Sequence, residues 1–265
     1  MSQLAVITRE EFATKAWRRY PSYAFAAQSN ILPVVVAELA KLVPAMPLGF
    51  VKTEDTFQLV AITSLQPDTN LFVTPDGNWI GDYVPTAVRA SPFQLVKPQD
   101  REESVLCFDE SSGLLVDAGQ GEAFFDEDEP SQAVKDILNF LSETEKSRVL
   151  TQQLVDALQA ADLIQPWPLN LQQGEQTVPI EGLFRIDESA LNTLPENTFL
   201  SLRRIGALPL AYAQLLSMNQ LGVLQKAAEV QARIREQIQA RAASQAPAVA
   251  DFGFRLLEGE TLRFS

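Results

Sequence analysis

The sequence contains no histidine and a single cysteine among its 265 residues. The missing imidazole excludes histidine-activated nucleophiles, histidine-ligated zinc and histidine proton shuttles. One cysteine, Cys107, cannot form a disulfide within the chain or complete a structural zinc site. Its apolar neighbours Val105, Leu106 and Phe108 predict a buried strand, in which the thiol acts as a small hydrophobic group. We therefore predict no metal site and no cofactor.

Positive charge is also scarce, because 21 Lys and Arg residues stand against 34 Asp and Glu residues and give a formal net charge of −13. Such a charge repels phosphate backbones and anionic lipid. The best basic group, Arg18-Arg19 followed by Tyr20, has only two charges and is interpreted as an exposed helix end rather than a binding site. The acidic run at 126–129 lacks the spacing of a calcium-binding loop. We predict that nucleic acid is not a partner.

Long hydrophobic runs are absent. The most apolar stretch, residues 31–51, is interrupted by three prolines and carries Glu38 and Lys41, which predicts a short helix followed by a strand rather than a membrane span. Residues 1–11 contain neither the basic region nor the apolar region of a secretory signal. These features predict a cytoplasmic protein.

Local patterns predict an α+β fold whose N-terminal half is mainly β with short helices. Thr8 and Glu11 form a capping pair that predicts an amphipathic helix ending before Pro21, and a second helix is expected from about residue 29 to Leu42. Alternating apolar residues and turn signals predict strands at 48–52, 57–63, 70–73, 93–96, 105–109 and 114–116, with a hairpin turn at 74–78. We expect a single unit over residues 1–265, with a candidate sub-boundary near 126–130.

The C-terminal half is predicted to be helical. We expect a hairpin of two helices at 130–141 and 147–163, a loop at 165–176, a strand at 178–187, and then helices that Asp187 or Ser189 caps and Gly206 interrupts. A long helix at 220–242 carries an apolar stripe that requires a partner surface, either in this chain or in a second copy: Val223, Ala227, Val230, Ile234 and Ile238. A small terminal strand is expected at 252–264.

The candidate binding residues are Tyr83, Arg89, Glu38 and Asp109. Arg89 ends a segment rich in proline and aromatic residues, and a guanidinium suits a bidentate contact to a carboxylate or phosphate. Glu38 lies among apolar residues, so it is either partly buried and compensated or on an exposed helix face. Arg89 either binds an anionic group in a cleft or ties its own segment to a carboxylate or to backbone carbonyls. The sequence leaves both alternatives open.

Several short motifs, in order over about residues 25–225, resemble the SapC family of bacterial proteins, which is named from a surface-layer locus. They are Asn-Leu-Phe-Val at 70–73, Gly-Asn-Trp at 77–79, Tyr-Val-Pro-Thr-Ala-Val-Arg at 83–89, Pro-Phe at 92–93, Leu-Cys-Phe-Asp-Glu at 106–110 and Arg-Ile-Asp-Glu at 185–188. Family members often have a second arginine where this chain has Ala90. The resemblance implies no established catalytic residues.

Two functions follow from these observations. The leading hypothesis is a non-catalytic accessory protein of the SapC type that binds another protein, with self-association through the 220–242 helix as one route to a homo-oligomer. The alternative is a small-molecule-binding protein or an enzyme that uses Arg89 and a nearby carboxylate. We expect that one closed pocket joining Tyr83, Arg89 and a carboxylate would favour the alternative, whereas their use in the core would disfavour it.

Overall fold

The computed structural model of the protein describes residues 3–98, 103–173 and 176–245. Along the chain the strands are β1 (Leu4–Val6), β2 (Lys15–Trp17), β3 (Ile31–Pro33), β4 (Leu48–Thr53), β5 (Thr56–Ile62), β6 (Phe93–Val96), β7 (Val105–Asp109), β8 (Leu115–Asp117), β9 (Glu122–Ala123), β10 (Phe125–Asp126), β11 (Glu129–Pro130), β12 (Ile164–Pro166), β13 (Leu169–Gln173), β14 (Gln176–Ile180) and β15 (Leu183–Ile186). The helices are α1 (Arg9–Phe12), α2 (Leu39–Leu42), α3 (Thr86–Arg89), α4 (Gln132–Ala160), α5 (Glu188–Asn192), α6 (Glu196–Ile205), α7 (Ala207–Ser217) and α8 (Leu221–Gln245). The fold class is α+β, as the sequence predicts.

The largest sheet has five antiparallel strands in the order β12-β15-β4-β5-β3. Its centre is the β4–β5 hairpin, in which Phe50 pairs with Leu59 and both are buried. The second half of α4 and helix α7 pack against this sheet. Together they enclose the main hydrophobic core, here named the sheet core, whose fully buried members include Leu42, Leu48, Ile62, Leu158 and Leu163. Two strands of this sheet, the edge strand β12 and its neighbour β15, thus come from the mainly helical half of the chain.

A second core is built from rings contributed by distant segments. Phe12, Trp17, Phe93, Phe108 and Phe124 are buried with neighbouring ring centroids 4.8–6.4 Å apart, and the three closest pairs meet edge to face. This aromatic cluster lies with the two three-stranded sheets β1-β7-β6 and β8-β2-β9. The start of α4 completes it through Val134 and Leu141.

Helix α4 corrects the predicted helical hairpin, because residues 132–160 form one continuous helix. Ser131 caps its N-terminus by accepting a hydrogen bond from the Val134 amide. The polar residues at 142–147 include no glycine or proline and form the (i, i+3) pairs Lys146–Glu143 and Arg148–Glu145. The apolar face of α4 therefore continues along the whole helix. It packs on the aromatic cluster near the N-terminus of the helix and on the sheet core near its C-terminus.

Other local predictions are wrong in the length or in the type of the element. Thr8 caps α1 as expected, but that helix ends at Phe12 because the chain turns into β2. Residues 31–33 form β3, paired with β5, where the sequence predicts the first turn of a helix. The predicted loop at 165–176 contains part of β12 and most of the β13–β14 hairpin. Arg18 follows β2 rather than ending a helix.

The C-terminal helices follow their sequence signals closely. Asp187 caps α5, and Gly206 separates α6 from α7 with a φ of 84°, a left-handed conformation that favours glycine. In α8 the predicted stripe is only partly covered, because Ala227 is buried whereas Val230 and Ile238 are 38% and 45% exposed. Among the described helices, none combines the length and apolar character that a membrane span requires. The predicted strand at 252–264 lies outside the described residues.

Candidate functional site

Glu38 is a buried carboxylate, 5% exposed, at the end of the short 3-10 turn that precedes α2. Its Oε1 atom accepts hydrogen bonds from the Thr86 amide at 2.6 Å and the Tyr83 hydroxyl at 2.8 Å. Its Oε2 atom accepts one from the Val35 amide at 3.3 Å. Backbone amides and a phenol therefore compensate this burial, which is the first of the two alternatives for Glu38.

Arg89 lies at the end of the single-turn helix α3, and hydrogen bonds fix one side of its guanidinium. Nε donates to the Val84 carbonyl at 3.0 Å, and Nη2 donates to the Tyr83 hydroxyl and to Thr86 Oγ1, each at 3.0 Å. The guanidinium carbon lies 5.1 Å from the centroid of the Phe140 ring. Among the described residues no carboxylate forms an ion pair with Arg89, and its Nη1 atom has no hydrogen-bond partner.

The two alternatives for Arg89 are therefore combined in one side chain. Arg89 has a structural role, because its Nε donates a hydrogen bond to a backbone carbonyl and its Nη2 donates to two hydroxyls of the same segment. Its charge nevertheless remains available, because those acceptors are neutral and the side chain is exposed. Tyr83 links the Arg89 guanidinium to the Glu38 carboxylate, so three of the four predicted residues are brought together.

Asp109 does not join this group. It ends β7 and accepts hydrogen bonds from the Ser111 amide and hydroxyl and from the Gln3 amide. These contacts cap the turn that follows the strand, which is a common use of a short acidic side chain.

Two tyrosines at the site have pKa values raised above the ordinary range. For Tyr83 the main cause is burial, followed by the hydrogen bond to Glu38 and the negative charge of that carboxylate, while the charge of Arg89 acts in the opposite direction. Burial also raises the pKa of Tyr20, with a further contribution from Tyr23 and opposition from Arg89. Both phenols are therefore kept protonated at neutral pH.

Arg89 and Phe140 separate two concave surfaces along α4. The groove, with a volume of about 750 Å³, is lined by residues that include Glu38, Tyr83, Arg89, Phe140, Lys146 and Leu150. The hollow, with a volume of about 500 Å³, is lined by residues that include Trp17, Tyr20, Arg89, Asp136, Ile137 and Phe140. Both volumes are typical of ligand sites.

Sequence reasoning missed the residues that form the hollow. Trp17, Tyr20 and Asp136 belong to segments more than 100 residues apart, so no motif connects them. The nearest sequence signal was Arg18-Arg19 followed by Tyr20, which was interpreted as an exposed helix end. In the structure Arg19 and Tyr20 follow β2 directly and lie at the rim of a cavity.

The fold is α+β, and Arg89 lies between two concave surfaces of it. In the parts of the chain that the structure describes, no group of three or more Cys, Asp or Glu side chains is arranged to hold a metal ion. A family model described as SapC matches residues 7–224, so the chain belongs to the SapC family. No curated protein and no solved structure matches the chain.

Proposed function

We propose that this protein is a non-catalytic accessory protein that binds a carboxylate-bearing segment of another protein in the groove. The observation that carries this proposal is the state of Arg89, whose guanidinium is held in place while its charge remains without a carboxylate partner. A guanidinium fixed before binding loses little conformational freedom when an anionic group docks, which favours affinity.

The shape of the groove suits an extended segment of a protein. Its α4 wall runs from Asn139 to Leu150, which corresponds to about 17 Å at 1.5 Å per residue. An extended peptide rises about 3.3 Å per residue, so roughly five residues fit along this wall. Leu150 is 46% exposed and Phe140 is partly buried, and both offer apolar contacts in the groove in addition to the charged contact at Arg89.

The state of Glu38 supports a binding role over a catalytic one. A general base requires a carboxylate that can reach a substrate proton. Glu38 instead lies buried, and three donors already occupy its two oxygen atoms. This carboxylate joins residue 35, at the start of the short 3-10 turn, to the segment at 83–86 and so acts as a structural brace.

A photo-cross-linking amino acid placed at Asn139, an exposed groove residue, tests the proposal in the native cell. We expect it to capture a defined protein that the same probe at Gln225, an exposed position on α8, does not capture. Capture should be lost in Arg89→Gln and kept in the matched control Arg18→Gln, because Arg18 does not line the groove. Identical capture from both positions, or capture unaffected by Arg89→Gln, would contradict the proposal.

Self-association through α8 is a second candidate function, supported by the exposure of Val230 and Ile238 at 38% and 45%. These residues continue the stripe whose earlier members Val223 and Ala227 pack on the body of the protein. Sedimentation at several concentrations should show a reversible dimer that Ile238→Asp weakens and Gln237→Asp does not. A monomer at all concentrations would exclude this route.

Cytoplasmic residence remains part of the proposal, since the site requires only a protein partner. Fractionation of native cells tests it, with the protein expected in the soluble fraction under low-salt conditions. Recovery in the envelope fraction after a high-salt wash would contradict it.

A further inference from the structure

The hollow contains two charges that the protein leaves without partners. Of its four charged lining residues, Arg19 and Glu122 pair with each other, with Nε and Oε1 2.9 Å apart. Neither Arg89 nor Asp136 takes part in an ion pair among the described residues. Asp136 Oδ1 accepts one hydrogen bond, at 2.7 Å, from the neutral Gln132 amide. One guanidinium, which Tyr83 links to the Glu38 carboxylate outside the hollow, and one carboxylate therefore line the same cavity without an ion pair to any described residue.

Aromatic rings form much of the remaining wall. Trp17, Tyr20, Phe93 and Phe140 all line the hollow, and Arg89 lies over the Phe140 ring at 5.1 Å. An apolar body inserted between such walls is stabilised by burial and by dispersion contacts. The volume of about 500 Å³ admits a molecule larger than one amino-acid side chain but far smaller than a folded domain.

The wall also contains a polar group without a partner. Trp17 is 6% exposed, and its indole N–H makes no hydrogen bond with any described residue. This N–H is closed off from solvent, so Trp17 contributes apolar ring surface to the wall of the hollow and no hydrogen-bond donor to a ligand.

A ligand with a single charge satisfies only part of this arrangement. A simple carboxylate would be attracted by Arg89 but repelled by Asp136. A simple amine would be attracted by Asp136 but repelled by Arg89. We propose that the hollow binds a small zwitterion of the amino-acid type, with its carboxylate on Arg89, its ammonium group on Asp136 and its apolar body against the aromatic wall. This site goes beyond the protein-binding groove and shares only Arg89 and Phe140 with it.

Three compounds with the same phenyl group test the charge requirement by calorimetry on the full chain. L-Phenylalanine carries both charges, 3-phenylpropionate lacks the ammonium group, and phenethylamine lacks the carboxylate. We expect L-phenylalanine to bind at least tenfold more tightly than either of the others. Equal binding of 3-phenylpropionate or phenethylamine, or no binding of L-phenylalanine at millimolar concentration, would overturn the proposal.

The variant Asp136→Asn sharpens the test because this exposed residue has no structural ion pair to lose. It should weaken L-phenylalanine at least tenfold while leaving 3-phenylpropionate unchanged or tighter, since the repulsion is removed. Asp156→Asn is the matched control, an exposed carboxylate on the same helix that likewise accepts a hydrogen bond at 2.7 Å from a Gln amide four residues earlier and lines neither the hollow nor the groove. Equal losses in both variants, or no loss in Asp136→Asn, would overturn the role of Asp136.

The proposals for the groove and for the hollow can be contradicted independently of each other. Asp136→Asn should leave capture by the Asn139 probe intact, because Asp136 does not line the groove. Arg89→Gln should weaken both L-phenylalanine binding and protein capture. Its melting temperature, compared with that of Arg18→Gln, shows whether a loss of folding explains the result, and Asp136→Asn then decides for the hollow alone.

Discussion

The sheet core and the aromatic cluster satisfy their buried polar groups differently. In the sheet core, Gln214 is fully buried and bridges two strands, accepting from the Ile186 amide at 2.9 Å and donating to the Leu48 carbonyl at 3.1 Å. Ser217 accepts from the Leu48 amide. In the aromatic cluster, the indole N–H of Trp17 makes no hydrogen bond with any described residue.

The difference follows from how each core is assembled. The sheet core has a regular frame, so a side chain from α7 can reach strand groups at fixed positions. The aromatic cluster is filled by rings from short strands and loops far apart in the chain, whose packing is governed by ring geometry. A small core of this kind closes less completely, and the hollow lies at its edge between Trp17 and α4.

Helix α4 couples the two cores, and breaking it should produce the largest effect. Lys146 is exposed near the middle of the helix, between the parts that pack on each core, so Lys146→Pro should lower the free energy of unfolding by about 3 kcal/mol or more. Urea unfolding followed by tryptophan fluorescence and by far-UV circular dichroism should give one shared transition for the wild type. Lys146→Ala, as the control, should change stability little. Separate transitions in the wild type would show that the two cores fold independently.

Replacing one buried polar side chain in each core should have unequal effects on stability, with a large loss for the sheet core and a small loss for the aromatic cluster. Gln214→Leu leaves the Ile186 amide and the Leu48 carbonyl unpaired, so it should lower the free energy of unfolding by about 2–4 kcal/mol. Trp17→Phe removes a donor that has no acceptor, and its effect should stay below about 1.5 kcal/mol. Chemical denaturation of both variants measures the difference. A larger loss in Trp17→Phe would show that the indole N–H is satisfied in solution.

How far the sequence predicts this molecule depends on the range of the interactions. Thr8, Asp187 and Gly206 act on their immediate neighbours, so their effects on helix ends were predicted correctly. The continuity of α4 was not predicted, because its polar middle lies between two cores that the sequence does not reveal. At the site, by contrast, the composition of the Tyr83–Arg89 segment alone was enough to single it out.

The partners of that segment depended on tertiary contacts. Glu38 was singled out from its apolar neighbours, yet two of its three hydrogen-bond partners, the Thr86 amide and the Tyr83 hydroxyl, are 45 or more positions away. Asp109 was proposed on residue type alone and proved to be a local cap. Trp17 and Asp136 are 119 positions apart and meet only in the folded chain.

Alkaline pH should act on the phenol that links Arg89 to Glu38. The pKa of Tyr83 is raised above the ordinary value of about 10, so the folded state favours its protonated form. The resulting stabilisation is complete below pH ~10 and is lost as the pH rises through the folded-state pKa. Thermal unfolding above pH ~10 should therefore be less pH-dependent in Tyr83→Phe than in the wild type. Tyr212→Phe, at an exposed position, should keep the wild-type dependence. Identical pH profiles for Tyr83→Phe and the wild type would contradict this interpretation.

Two glycines, one beside each core, give the last comparison, and the smallest expected effect is at Gly222. A Cβ at Gly222, near the start of α8, meets nothing within 4 Å, and alanine suits a helix better than glycine. Gly222→Ala should therefore raise the free energy of unfolding by about 0.5–1 kcal/mol. A Cβ at Gly121 would lie 2.3 Å from the carbonyl oxygen of Trp17, so Gly121→Ala should be destabilising by about 1–3 kcal/mol. Chemical denaturation distinguishes the signs. An unchanged midpoint in Gly222→Ala would show that α8 unfolds before the sheet core on which Leu224 packs, and that its stability contributes nothing to the global transition.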